Sequence, residues 1–183
     1  VERTRLLADG GGEMPESALV ADLLPLCVQA VASVSMLQAQ GVAALRVRVA
    51  EGGKVSAAAL DRHQFAAHAL SWLATHAEAL KQLHGWAERL TAQGTFGETE
   101  ALILQIGFGE YLAQIKGGIP MSQGETARLA DLGLDWPADA ACDALIAGGN
   151  TAAARDRLVA MMQANRGRAT VGASGLDDEL EMI

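Results

Sequence analysis

At 183 residues and 19.0 kDa the chain is long enough to bury a core as one domain. Half of it is hydrophobic but only 4% is aromatic, so alanine and leucine carry the apolar content and favour helices over strands. A net charge of −8, a pI near 4.9 and the lack of any Lys/Arg run argue against a nucleic-acid partner. No stretch offers the roughly 18 consecutive apolar residues of a membrane span, and none near the N-terminus has a signal-peptide core. Cys27 and Cys142 lie far apart and read as small buried apolar groups in a reducing compartment. The expectation is a cytoplasmic protein without a membrane or nucleic-acid partner.

Residues 1–16 hold "DGGGEMPE" and read as a flexible tail. Ser17 is the expected cap of a first helix carrying Leu19, Leu23, Leu26, Ala30, Val34 and Leu37 at helical spacing. Pro25 should kink it or mark its true start, and Gly41 is a potential interruption. "VAALRVRVA" continues it as helix, or alternatively as strand, up to Glu51-Gly52-Gly53.

Ser56 caps the next element, a helix expected over about 57–92 and on the order of 50 Å long. Three heptad series mark its buried side: Phe65, Trp72, Ala79, Trp86; Ala69, His76, Leu83, Leu90; and Ala66, Leu73, Leu80, Ala87. Asp61, Glu78, Lys81, Gln82, Glu88 and Arg89 fall on the other side, as in a helix bundle. Thr95 and Glu98 form a T-x-x-E capping box for a helix over about 98–116. That helix is apolar around much of its circumference and should be the most buried, ending at Gly117-Gly118-Ile119-Pro120. Ser122 and Glu125 repeat the capping pattern for a short helix closing near Gly133. Residues 138–147 and 151–165 give two more helices, the second capped by Thr151. Residues 166–175 are a linker, and "LDDELEMI" at 176–183 reads as the first turns of another helix. The expected fold is an all-α bundle over 17–165, built around a long helix hairpin with shorter C-terminal helices.

The chemistry written in this pattern is thin. No Glu or Asp lies three residues before His63, His68, His76 or His84, so the carboxylate-histidine spacing of a bundle metal site is missing. His84 and Glu88 are an i,i+4 pair of the surface kind. Neither cysteine has a nucleophile signature, and no G-x-S-x-G occurs. "GFGEYL" lacks the third glycine and the preceding strand of a dinucleotide fingerprint. His76 on the apolar stripe is expected as a hydrogen-bonded core histidine. Glu110, one turn before Gln114, is expected to be buried and paired with a polar group of a neighbouring helix. No catalytic, cofactor-binding or metal residue is assigned.

Gly107 and Gly109 interrupt an otherwise strong helix, and each costs about 0.5–1 kcal/mol relative to alanine. Close approach of another helix is the expected compensation. Gly109 and Ala113 share a face, and Trp72 or Trp86 of the long helix is the expected filler. Both glycines should then be helical, buried and away from any ligand, with Gly109→Leu overpacked and Gly109→Ala mild.

"WLATHAEALKQLHGWAERL", "FGETEALILQIGFGEYLAQIKGGIPMSQGE" and "LADLGL" together resemble the N-terminal extension of the methylsuccinyl-CoA dehydrogenase group of acyl-CoA dehydrogenase-like flavoproteins. The resemblance covers roughly residues 57–134 and is weaker at both ends. "LDDELEMI" is similar to the opening helix of the acyl-CoA dehydrogenase fold. The resemblance implies a larger FAD enzyme that oxidises an acyl-CoA at its α and β carbons, with a glutamate removing the α-proton while the flavin accepts the β-hydride. That glutamate and the flavin-binding segments have no counterpart here. The chain itself would hold no cofactor and be inactive alone, packing on the catalytic domain of the same protein or on a neighbouring subunit, with a homo-oligomer as a further option. Two alternatives stay open: a stand-alone helical oligomerisation module, and a bundle that binds a hydrophobic or CoA-type ligand.

Overall fold

A computed structural model describes residues 18–165, residue 138 excepted. The expected tail 1–16, the Ser17 cap, the linker 166–175 and the helix start at 176–183 lie outside the described residues.

The described chain is an all-helical bundle. Its elements are α1 (Leu23–Val49), β1 (Ala50–Glu51), β2 (Lys54–Val55), α2 (Ala57–Arg62), α3 (Gln64–Ala92), α4 (Glu98–Gly117), β3 (Ile119–Pro120), β4 (Thr126–Ala127), α5 (Leu129–Leu132), α6 (Ala140–Gly148) and α7 (Ala152–Ala164). The strands form two antiparallel two-residue ladders, Ala50↔Val55 with Glu51↔Lys54 and Ile119↔Ala127 with Pro120↔Thr126. α1 packs on α3 and α6, and α4 packs on α3, α6 and α7. The core is aliphatic: Leu73 and Leu80 of α3 meet Leu104, Phe108 and Leu112 of α4, with Val34 of α1 and Leu145 of α6.

Helix α1 begins at Leu23 rather than behind Ser17, with Pro25 in its first turn, where a missing N–H leaves no bond unmade. Gly41 does not interrupt it. A Cβ there would come within 3.0 Å of Leu70 Cδ1 and 3.3 Å of Leu132 Cδ1, so the glycine lets α1 lie close against α3 and α5. The helix reading of "VAALRVRVA" holds to Val49, and Gly52-Gly53, both at positive φ, turn the first ladder.

The long helix is broken at His63, whose N–H is shared between Ala59 O and Leu60 O as at a helix end. Ser56 Oγ accepts from Ala59 N at 3.3 Å and caps α2. Of the three heptad series, Phe65 is 77% exposed and Trp72, Ala79 and Trp86 are half-buried, so that series edges the buried stripe centred on Leu73, Leu80 and Ala87.

The capping box of α4 sits two residues later than expected. Gly97 N–H donates to Glu100 Oε2 at 3.0 Å, whereas Thr95 closes the end of α3, its N–H donating to Leu90 O at 2.9 Å after Gly94 at φ 70°. Ser122 and Glu125 likewise do not start a helix. Ser122–Gly124 is a 3-10 turn joining β3 to β4, and the short helix is α5, where Arg128 N–H donates to Asp131 Oδ2 at 2.8 Å. Arg48 reaches from α1 to the last carbonyls of α5, Asp131 O at 2.9 Å and Leu132 O at 2.7 Å. α6 and α7 start at Asp139 and Thr151, whose side chains accept from the first-turn amides.

Candidate functional site

The two faces of α4 are built differently, and the difference starts at its glycines. At Gly109, which is buried, a Cβ would lie 2.8 Å from Asn150 N, 3.0 Å from Leu145 O and 3.1 Å from Gly149 Cα. At Gly149 a Cβ would in turn run into Gln105 O and Leu145 O. α4 and the end of α6 therefore cross glycine to glycine, backbone on backbone. The close approach comes from α6, not from α3, and no tryptophan atom is among the nearest neighbours of Gly109. Trp72 and Trp86 are half-buried at the edge of the core, and Trp72 Nε1–H donates to His68 Nε2 at 2.9 Å. Ala113, one turn after Gly109, is half-buried.

Beside this crossing sits Gln105, which is fully buried. Its amide nitrogen donates to Ala18 O at 2.7 Å and Gly149 O at 3.3 Å, and its oxygen accepts from Val20 N at 3.0 Å. It thereby ties the segment before α1 to the α6–α7 turn. Gln105 is not among the site residues expected from sequence, although a lone amide inside "LILQIGF" is the signal of a buried polar junction.

The opposite flank is open. α3, α4 and α7 enclose a groove of about 610 Å³ with Leu83, Ile103, Ile106 and Leu158 among its apolar walls. Gly107 lines this groove and is only half-buried; a Cβ there would meet Leu83 Cδ1 at 3.1 Å. The expectation that both glycines are buried away from any open site therefore fails for Gly107, because α7 leaves that side of α4 uncovered.

Glu110 stands on the rim of the groove and is exposed, not buried. It is nevertheless paired: Gln114 Nε2 donates to Oε1 and Asn150 Nδ2 donates to Oε2, both at 2.8 Å. Arg155 extends the series, donating through one nitrogen to Asn150 Oδ1 at 2.7 Å and Asn150 O at 2.9 Å. At the other end Gln114 Oε1 accepts from His76 Nε2 at 2.9 Å, the donor role following from the Gln114 amide nitrogen being turned to Glu110. His76 is 6% exposed, with Nδ1 3.1 Å from Trp72 O and its ring edge-on to Tyr111 at 5.0 Å. A polar line thus runs from the core histidine through Gln114, Glu110 and Asn150 to Arg155 at the surface.

This arrangement orients groups but presents no reacting centre. Among the described residues no group of three His, Cys, Asp or Glu side chains is placed to hold a metal ion. Burial pushes the Cys27 thiol up to about 12. Burial, reinforced by the charges of Asp139 and Asp143, does the same to Cys142. Both thiols are therefore protonated, poor nucleophiles at neutral pH. The groove offers one guanidinium, Arg155, and the Glu110 carboxylate on its rim would repel a pyrophosphate placed there.

No family model matches the chain. It is 59% identical over 172 residues, 93% of its length, to the (2S)-methylsuccinyl-CoA dehydrogenase of Cereibacter sphaeroides. It spans 31% of that protein's length, consistent with a fragment from its N-terminal end. The similarity thus reaches well beyond the 57–134 block in which the resemblance is first legible.

Proposed function

We propose that this chain is the non-catalytic N-terminal helical domain of an FAD-dependent acyl-CoA dehydrogenase of the methylsuccinyl-CoA type, and that it packs on the catalytic body or on a neighbouring subunit. One observation carries the reading: similarity at 59% identity runs through 93% of the chain yet accounts for 31% of the relative. In this reading residues 17–165 are the bundle, 166–175 the linker and 176–183 the start of the dehydrogenase fold. The oxidation of a thioester at its α and β carbons, and the flavin that takes the hydride, would belong to the remainder of the longer protein.

The test compares the 183-residue chain with the longer protein, intact and with the domain deleted. The chain alone should be colourless and should not oxidise an acyl-CoA with an artificial electron acceptor. Deletion should lower the melting temperature or alter the assembly of the remaining body. A stoichiometric flavin spectrum on the chain alone, or a body unchanged by the deletion, would overturn the reading.

The groove between α3, α4 and α7 favours a second reading, in which an acyl-CoA lays its acyl chain against Ile103, Ile106 and Leu158 with Arg155 at the polar end. Saturable binding of a medium-chain acyl-CoA to the isolated chain, lost in Arg155→Ala, would decide for it.

A further inference from the structure

His76 is buried, and each of its ring nitrogens faces an oxygen. Nδ1 lies 3.1 Å from Trp72 O and Nε2 lies 2.9 Å from Gln114 Oε1. Trp72 O takes the main-chain N–H of His76 inside α3 and has a second lone pair to offer Nδ1–H. A neutral imidazole carries one N–H, so one of its nitrogens would set a lone pair against an oxygen. The doubly protonated ring donates on both sides.

The Gln114 amide cannot simply turn over to suit a neutral ring. Its nitrogen donates to Glu110 Oε1 at 2.8 Å. Turned over, it would give an N–H to His76 Nε2 and leave the one ring proton on Nδ1, but it would set its oxygen against the Glu110 carboxylate. Ring, amide and carboxylate therefore have two consistent arrangements. With the ring charged, the amide oxygen points to His76, and Glu110 is held by Gln114 and by Asn150 Nδ2. With the ring neutral, the amide nitrogen points to His76 and Glu110 loses one of its two donors. The other donor, Asn150, is bonded to Arg155 and directly precedes the Thr151 cap of α7, so the difference reaches the rim of the groove.

Few other ionisable groups surround the ring. Tyr111 of α4 meets it edge-on at 5.0 Å. One turn away on α3, Trp72, Leu73, Ala79 and Leu80 are uncharged, and His68 lies beyond Trp72. Of the elements packed on α3, α1 has Cys27 and no charged side chain between Leu23 and Leu45, and β4 has none. α5 brings Asp131, which is exposed and accepts from Arg128 N–H. α2, with Asp61 and Arg62, joins the start of α3, about 18 Å along that helix from His76. Glu110, one amide away, is the counter-charge to the ring.

We propose that His76 and Gln114 form a two-position proton switch, in which the charged ring keeps the amide bonded to Glu110 and the neutral ring, having given its Nε2 proton to water, turns the amide over and releases Glu110 from it. The switch does not depend on the dehydrogenase reading.

Nuclear magnetic resonance of the isotope-labelled 183-residue chain from about pH 5 to 9 tests it, the range in which histidines ordinarily change charge. At the acid end both ring nitrogens of His76 should carry protons. At the alkaline end the remaining proton should sit on Nδ1, and the side-chain amide signals of Gln114 and Asn150 should shift with the same midpoint as the ring. In Glu110→Gln, an exposed and nearly isosteric change, the ring should still titrate but the shift at Asn150 should be lost, because a neutral partner accommodates either face of the Gln114 amide. A neutral ring protonated on Nε2, a proton count that stays constant across the range, or amides that do not follow the ring would each overturn the proposal. So would an Asn150 shift that persists unchanged in Glu110→Gln.

Discussion

Gly107 and Gly109 stand two residues apart on α4 and meet opposite surroundings. Gly109 is pressed against the backbone of α6 and the turn after it, with no room for a methyl group. Gly107 faces the groove and has only the tip of Leu83 near it. The same residue type, in the same helix, is obligatory on one flank and nearly dispensable on the other. What decides is the hardness of the neighbour. A main chain held by its own hydrogen bonds cannot move aside, whereas a leucine rotamer can.

The largest effect should come from the hard side. Gly109→Leu should lower unfolding free energy by about 3 kcal/mol or more in denaturant titrations, because its side chain has only backbone to displace. Even Gly109→Ala should lower it by about 1–3 kcal/mol, with Asn150 N at 2.8 Å from the new Cβ. This replaces the mild effect expected for alanine from sequence. A Gly109→Ala protein as stable as the parent would show that α6 can yield and that the contrast is false.

Next in size is Gln105→Leu. It keeps the volume and removes the three bonds to Ala18, Val20 and Gly149, leaving a buried carbonyl unmet. About 2 kcal/mol of stability should be lost, with faster amide exchange at Val20. On the soft side, Gly107→Ala should raise stability by about 0.5–1 kcal/mol, since a helical glycine is relieved and only Leu83 has to shift. A clear loss there would mean that the groove is as rigid as the crossing.

Much of this molecule is legible in its sequence, because helical periodicity reports burial directly. The heptad series of α3 locate its core stripe, and Ser56 and Thr151 are where the caps form. The misses share a cause: each depends on what lies across from a residue rather than along the chain. Glycines in α4 announce a close approach, yet nothing local says that Gly149, far along the chain, makes it. The apolar circumference of α4 suggests a buried Glu110, but whether α7 covers that flank is a matter of docking angle. Thr95 fits a capping box by spacing and is used instead to close the preceding helix. Two-residue ladders are too short to leave a periodic trace.

The smallest effect is expected where α7 is tied back to α4 at the rim of the soft flank. Arg157 Nε donates to Glu98 Oε1 at 2.6 Å and its terminal nitrogen to Oε2 at 2.8 Å, a two-point clasp between exposed side chains. The hydrogen bond from Arg157 holds the Glu98 carboxyl below its ordinary value. A lowered acid stabilises the fold above its unfolded pKa, and that contribution fades as pH falls through the folded value. The clasp is therefore present at neutral pH and disappears in acid. Because both groups are in water, added salt should weaken it as well. Glu98→Gln should be slightly less stable than the parent at neutral pH and low salt, and indistinguishable from it in high salt or at acid pH. If the difference persisted undiminished in molar salt, the clasp would be acting as a rigid strut, and the flank carrying the groove would have to be counted with the hard side of α4.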